Sequence, residues 1–351
     1  MRTAIHRERS SVNALERAAF NHAIQLQLDL LRHAASVEGK VLRLLEEMHR
    51  QLRGKLASEN LTTFNRTRLN AMLKDTSALI DQVYLKIAAE VKKSVEVVSE
   101  LAVTTSTAAT LEIGLTANAP SPTMLAALVK DTLIDGAPSA AWWRRQAMDT
   151  AFRFANAVRQ GIAQGDTSDQ IFRKVREVTD LAGRNSRSLV QTSIMQVASD
   201  ARVAVIEANT DIYSGFRHLS TLDGHTTPQC VARSGLTWTM DKEPIGHNLP
   251  FKQPPVHWGC RSVMLGVLKS FKELGINLPE PQGLTRASAE GQIDRSTTFA
   301  SFLSRRSVAE QDAQLGAGRA QLWRDGKITL RQLVDNAGNP LTLEQLRSKY
   351  E

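Results

Sequence analysis

The first 119 residues contain no proline and only three glycines, Gly39, Gly54 and Gly114. A stretch without breakers runs as helix wherever its apolar residues recur at helical spacing. Two series do so. Leu26, Leu30, Ala34, Val37, Val41, Leu44, Met48, Leu52 and Leu56 step by three or four and share one face of one long helix. Ser58 to Asn65 interrupts the rhythm. Leu69, Leu73, Thr76, Ile80, Val83, Ile87, Val91, Val95 and Val98 resume it. Two such helices joined by a short break are expected to fold back as an antiparallel hairpin, each stripe burying the other. Arg43, Glu46, Glu47, Arg50, Lys92 and Lys93 fall on the outer faces, the pattern of a solvated helical surface.

Beyond this hairpin the punctuation changes. Ala102 to Pro122 is rich in Ala, Thr and Ser and reads as a linker or weakly held segment. Trp142 to Gly161 reads as a helix with apolar Trp143, Met148, Phe152, Phe154 and Val158. Gly165-Asp166 ends it, and Thr167 with Gln170 forms a capping box ahead of Ile171, Val175 and Val178. A further helix is expected from about Ser186 to Asn209, with Val190, Ile194, Val197, Ala201, Val205 and Ala208 as its stripe. Five of the eleven prolines then fall between Pro228 and Pro255, four of the eight histidines between His218 and His257, and both cysteines are Cys230 and Cys260. The β-favouring runs Gly215 to Leu222, Leu236 to Met240 and Ser262 to Val267 make this a small antiparallel element. From about Pro279 the chain is polar, with capping boxes at Ser307/Glu310 and Thr342/Gln345 that announce short helices packed on the body or on a neighbour.

The expected fold class is therefore α+β and predominantly α-helical. Its segments are a helical hairpin arm (1–119), a helical region (120–212), a small Pro/His/Cys β module (213–270) and a polar tail with short helices (271–351). The low aromatic content, 5%, agrees with helices rather than a large sandwich or barrel. Lys and Arg number 44 against 36 acids, so the net charge of +8 permits an acidic partner without demanding one. Two cysteines cannot make a disulfide framework and fit a reducing cytosol. Met1 to Ser10 has no apolar run of the signal-peptide kind, and Leu101 to Ala117 is too polar to span a bilayer, so a soluble chain with no membrane partner is expected.

The informative segment is Ser220-Thr-Leu-Asp-Gly-His-Thr-Thr-Pro-Gln-Cys230, a Gly235 turn with Thr237-Trp238, and Pro254-Pro-Val-His-Trp-Gly-Cys-Arg-Ser262. It admits three chemistries. As a metal site, Cys230, His257 and Cys260 are zinc-ligand types, with His225 or Asp223 as the fourth. A structural zinc would compensate for a poor local core, although no cofactor is required. As pure structure, Asp223 tightens the Asp-Gly turn, Cys230 and Cys260 are buried on facing strands as free thiols or a bridge, and His257 and Arg261 hydrogen-bond loop carbonyls and Asp223. As catalysis, Cys230 is a nucleophile with His257 as base, or His225 and His257 serve a metal nuclease. That reading finds no oxyanion hole and no second carboxylate pair nearby. No Walker loop, GxGxxG, HExxH or GxSxG occurs.

Asp223-Gly-His-Thr-Thr-Pro-Gln-Cys230, the Ser-Gly-Leu-Thr-Trp turn and Pro254-Pro255-Val-His257-Trp-Gly-Cys260-Arg261 resemble the signature of the phage Mu F-like minor head proteins, also called head morphogenesis proteins. The signature residues are then Asp223, Cys230, Pro255, His257, Cys260 and Arg261. The capped helix at Gly165 to Val178, the Leu189-Val-Gln-Thr-Ser-Ile helix and the tail from Gln314 to Leu346 are similar to the family too, so the resemblance extends over roughly 140–346. The chain departs from the pattern at His225, where the family has Arg, at Ser262, where it has Cys, and at Thr192-Ser193, where it has Thr-Glu. The resemblance implies a non-enzymatic, multi-copy structural protein of a tailed-phage virion. It would be made in the host cytoplasm and sit in the capsid interior or at the portal vertex. Its partners would be the portal protein or the major capsid protein, and its role head assembly and genome packaging or delivery. The competing functions are a metal-assisted DNA-acting enzyme and a head-borne injected effector.

DNA contact has its own candidates. Arg144, Arg145, Arg153, Arg159, Arg173, Lys174 and Arg176 fall within 33 residues that hold only Asp149, Asp166 and Asp169 as acids. Beside Trp142 and Trp143, Arg144, Arg145, Arg153, Arg173 and Lys174 could grip phosphates non-specifically. The alternative is an ordinary basic helix face with the tryptophans in the core.

Overall fold

A computed structural model describes residues 2–58, 66–111, 114–270, 272–275, 285–288, 291–294 and 298–351, with backbone alone at 2–25, 285–288 and 291–294. In chain order the elements are α1 (Arg2–Ala57), α2 (Arg66–Leu111), α3 (Pro122–Asp131), β1 (Leu133–Ile134), β2 (Ala137–Pro138), α4 (Ser139–Gln164) and α5 (Ser168–Glu207). There follow β3 (Tyr213–Leu219), α6 (Pro228–Arg233), β4 (Thr237–Thr239), β5 (Pro244–Ile245), β6 (Val263–Leu268), β7 (Thr285–Ser288) and β8 (Gly291–Asp294). The chain closes with α7 (Phe299–Leu303), α8 (Val308–Leu315), α9 (Ala317–Arg324), a 3-10 turn (Leu330–Leu333) and α10 (Leu343–Tyr350). The fold is α+β and mostly helical. Two compact units form, one from 31–98 and 129–196, the other from 1–30, 99–128 and 197–351. They cut across the four consecutive segments read from the sequence.

In the first unit the long helices bury the expected faces. Ala34, Val37, Val41, Met48, Leu52 and Leu56 of α1 are buried, as are Leu73, Thr76, Ile80, Val83, Ile87, Val91, Val95 and Val98 of α2. Lys40 pairs with Glu90 at 2.5 Å, and His33 bonds the backbone at Ser94, so the two helices run antiparallel. The expected break at Ser58 to Asn65 falls between them; its residues 59–65 lie outside the described residues. The α1 stripe departs at one position: Leu45 is buried and Leu44 only half-buried. Helix α4 buries Trp143, Ala147, Thr150, Phe154 and Val158, whereas Met148 and Phe152, expected in its stripe, are exposed. Gly165 ends α4 in the left-handed conformation at φ 71°, which costs a residue without Cβ nothing. The Thr167/Gln170 box then opens α5. Instead of two helices, α5 is one helix of 40 residues. Gly183 costs an isolated helix only about 1 kcal/mol, and buried Ala182, Ser186 and Leu189 continue the stripe through it. At its far end Ala208 is exposed rather than in the stripe.

In the second unit, α2 continues to Leu111, with Ala102, Val103 and Thr110 buried. The expected linker is thus firmly held. Leu115 and Ala117 pack against Val203, Ile206, Ile212, Phe216 and Met264. Buried Asn209 donates to the Asn118 carbonyl at 2.9 Å and accepts from the Asn118 amide at 2.6 Å. The main sheet has the order β5-β4-β3-β6, antiparallel throughout. Strands β3, β4 and β6 lie where the β-favouring runs predicted, and β5 falls outside them. Gly215 of β3 passes so close to β4 that an added Cβ would run into the Trp238 carbonyl oxygen, so a side chain there would push the strands apart. The hairpin β7–β8 falls in a stretch read only as polar tail. The short C-terminal helices start at the expected boxes, Ser307/Glu310 and Thr342/Gln345. Phe299, Phe302, Leu315, Leu322, Leu330, Leu333 and Leu346 form one core with Leu222 and Val231, so this tail covers the signature segment.

Candidate functional site: a buried cysteine–histidine cluster

Three local devices build the cluster. Pro228 begins α6 at a position where its missing amide costs nothing, and α6 carries Cys230. His257 and Cys260 flank a tight turn closed by the Cys260 amide on the His257 carbonyl at 3.1 Å, with Gly259 at φ 71°. Pro255, just upstream, follows Pro254 across a cis peptide bond. The turn sets Cys260 Sγ 3.6 Å from Cys230 Sγ, while His257 Nε2 lies 3.3 Å from Cys230 Sγ. The ligand atoms of Cys230, His257 and Cys260 all lie within 4.8 Å of one another, so this trio could hold a metal ion. The cysteines are free thiols, one on a helix and one in a loop, not on the facing strands expected.

Around the trio runs a net of polar ties. Arg261 clasps Asp223 with two hydrogen bonds, Nη1 to Oδ2 at 2.6 Å and Nη2 to Oδ1 at 2.8 Å. Asp223 Oδ1 also accepts from the His225 amide at 2.9 Å and from Thr226 Oγ1 at 3.2 Å. Asp223 is thereby tied into the loop and stands outside the trio whose ligand atoms lie together. His225 is exposed and stands outside the trio, contrary to its expected place among the ligands. Buried Gln27 of α1 donates to the Arg261 carbonyl at 2.9 Å and to Thr221 Oγ1 at 3.0 Å. Ser220 donates to the Cys230 carbonyl at 2.6 Å, and Ser262 donates to Ser220 at 3.3 Å. Trp238 is fully buried and donates to the Leu249 carbonyl at 2.9 Å, which ties the far loop to the sheet.

Sequence reasoning missed Gln27, which looks like an ordinary polar neighbour of a helical stripe, and His218. His218 sits on β3, fully buried, and neither ring nitrogen has a hydrogen-bond partner. A buried polar group left unpaired costs about 1–3 kcal/mol. The one sequence signal was its place between Phe216 and Ser220 on the alternating inner face.

Electrostatics separate the two thiols. The hydrogen bond from Cys230, followed by His257, holds Cys260 well below the ordinary thiol range. That same bond and burial push Cys230 well above it. Burial pulls His257 down, but the hydrogen bond and charge of Cys260 outweigh it and leave the imidazole raised. Burial, foremost, pushes His218 down to about 4. A polarised Cys–His pair is a nucleophile's chemistry. Yet Cys230 and Cys260 are 1% and 0% exposed, and a substrate reaches neither unless the loop opens.

The basic residues are distributed differently. Arg153 pairs with Asp149 at 2.7 Å, Lys174 with Asp166 at 2.6 Å, and Arg145 stacks over Trp142 at 5.5 Å. Arg176 is shared between Glu46 and Asp180. Arg144, Arg159 and Arg173 are exposed. Trp143 is buried, and Trp142 donates to the Ile134 carbonyl at 2.6 Å.

A helical scaffold thus carries a small antiparallel sheet and a buried Cys/His/Asp/Arg cluster. Residues 153–265 match the family model of Phage Mu protein F like protein, which bears out the resemblance over that stretch. The match runs from within α4 to within β6 and contains every signature residue. No curated protein and no solved structure matches the chain.

Proposed function

We propose that this chain is a non-enzymatic minor component of the head of a tailed bacteriophage, which serves head assembly by docking to the portal or major capsid protein. The observation that carries the reading is the family match at 153–265 falling on a module whose signature residues are spent on holding the loop together. The long antiparallel helices of residues 31–98 supply an extended docking surface. Among the described residues no helix is long and apolar enough to cross a membrane. Placement in the capsid interior or at the portal vertex, several copies per virion, and a part in packaging or delivery of the genome belong to the same proposal. DNA contact, where it occurs, would run through exposed Arg144, Arg159 and Arg173, be sequence-independent and weaken steeply with salt. The test is co-expression with the portal and capsid proteins of the same phage, followed by sedimentation. The chain is expected in the prohead fraction, and heads formed without it are expected to be defective. Normal infectious particles lacking the chain would overturn the reading. So would divalent-ion-dependent DNA cleavage that disappears in a folded His257→Gln variant.

A further inference from the structure

We propose that Cys230, Cys260 and His257 are three ligands of a zinc ion, and that His218 is the fourth. This goes beyond the head-protein reading and does not depend on it. Tetrahedral zinc, with bonds of about 2.3 Å to sulfur and about 2.0–2.1 Å to nitrogen, sets neighbouring sulfurs about 3.8 Å apart and sulfur from nitrogen about 3.6 Å. The sulfurs here are 3.6 Å apart, and Cys230 Sγ lies 3.3 Å from His257 Nε2. These two distances are close to two edges of a tetrahedral face, and the third lies within 4.8 Å, whereas a disulfide needs about 2.05 Å. His257 Nδ1 lies 2.9 Å from the Trp258 carbonyl, which can only accept, so Nδ1 carries a proton and Nε2 is the nitrogen that would ligate once its own proton has left. Two thiolates and imidazole nitrogen favour zinc over calcium or magnesium.

The fourth position is argued from His218. Strand alternation places Phe216 and His218 on one face of β3, which ends at Leu219. Just beyond it Ser220 bonds the Cys230 carbonyl, and Ser262 hydrogen-bonds both Ser220 and the Cys230 side chain. His218 is fully buried, has no hydrogen-bond partner on either nitrogen, and interacts electrostatically with Cys260 and His257. Its ring lies outside the 4.8 Å group of the other three, so ligation turns it inward about its side-chain torsions. On binding, each thiol gives its proton to solvent and both sulfurs donate as thiolates.

The test uses the full chain. Elemental analysis of protein purified without chelator is expected to find one zinc per chain, and both cysteines should resist alkylation until a chelator is added. Cobalt substituted for zinc should give the thiolate charge-transfer band and intense visible bands of a four-coordinate site. His218→Gln is expected to lose zinc to a chromophoric chelator at least about tenfold more readily and to shift the cobalt spectrum. His225→Gln should change neither. A zinc-free chain whose thiols alkylate at once would overturn the centre. A His218→Gln variant with wild-type zinc retention and cobalt spectrum would overturn His218 as the fourth ligand while leaving the other three. Neither result bears on docking to heads.

Discussion

Between Ala34 and Val98, α1 and α2 bury an apolar side chain every three or four positions. Between Tyr213 and Leu268 buried apolar residues are about as frequent. There, however, single groups such as Arg261, Gln27, Ser220 and Trp238 each hold a separate stretch of loop. The first region spreads its stability over many interchangeable contacts. The second concentrates it, so there one residue matters more than its area suggests.

Mutations sharpen that contrast. Trp238→Ala removes a fully buried ring and orphans the Leu249 carbonyl. It should cost about 3–5 kcal/mol, read as a lower urea midpoint. Arg261→Ala leaves the Asp223 carboxylate, 12% exposed, without its bidentate partner. A loss of about 3 kcal/mol is expected, and Arg261→Lys should recover only part of it because an ammonium lacks the planar fork. Ile87→Val in the helices should cost only about 1 kcal/mol, although Ile87 is wholly buried. A cost in the helices equal to that at Arg261 would erase the contrast. At the surface, Arg153→Ala breaks an exposed pair with Asp149 and should shift stability by less than about 0.5 kcal/mol.

The helical region also carries a pH signature. Burial, with Arg176 next, holds His49 below its ordinary value of 6.5, and its Nδ1 lies 3.1 Å from Thr179 Oγ1. The neutral ring is favoured in the fold, so below pH 6.5 the unfolded chain binds more protons. Stability contributed by His49 is therefore present above that pH and is lost as pH falls through the lowered folded value. Unfolding curves from pH 7 to pH 5 should show the decline, and His49→Gln should flatten it.

Most of the helical architecture was legible because burial and sequence share one period. Leu26 through Leu56 and Leu73 through Val98 read directly. The exchange of Leu44 for Leu45 is the drift of a 3.6-residue turn against steps of three and four. Met148 and Phe152 misled because an apolar residue on a helix is buried only if another element covers that side. Ala102 to Leu111 misled in the opposite way. Its threonines look like a linker, but Ser106, Thr107 and Thr110 bond carbonyls of their own helix. In the cluster, Cys230, His257 and Cys260 were legible from residue type and a tight-turn spacing, and the Asp223–Arg261 pair from the Asp-Gly turn. His225 was chosen by nearness in sequence and Gln27 passed over by distance in sequence, since contacts spanning 194 and 234 residues leave no local trace.

The central claim is that the Cys/His/Asp/Arg cluster holds the module folded. Hydrogen exchange on the wild type and on Cys260→Ala tests it most directly. The account predicts that amide protection falls in β3, β4, β6 and the connecting loops while that of residues 31–98 stays unchanged. Undiminished protection across Tyr213–Leu268 in the variant would contradict it.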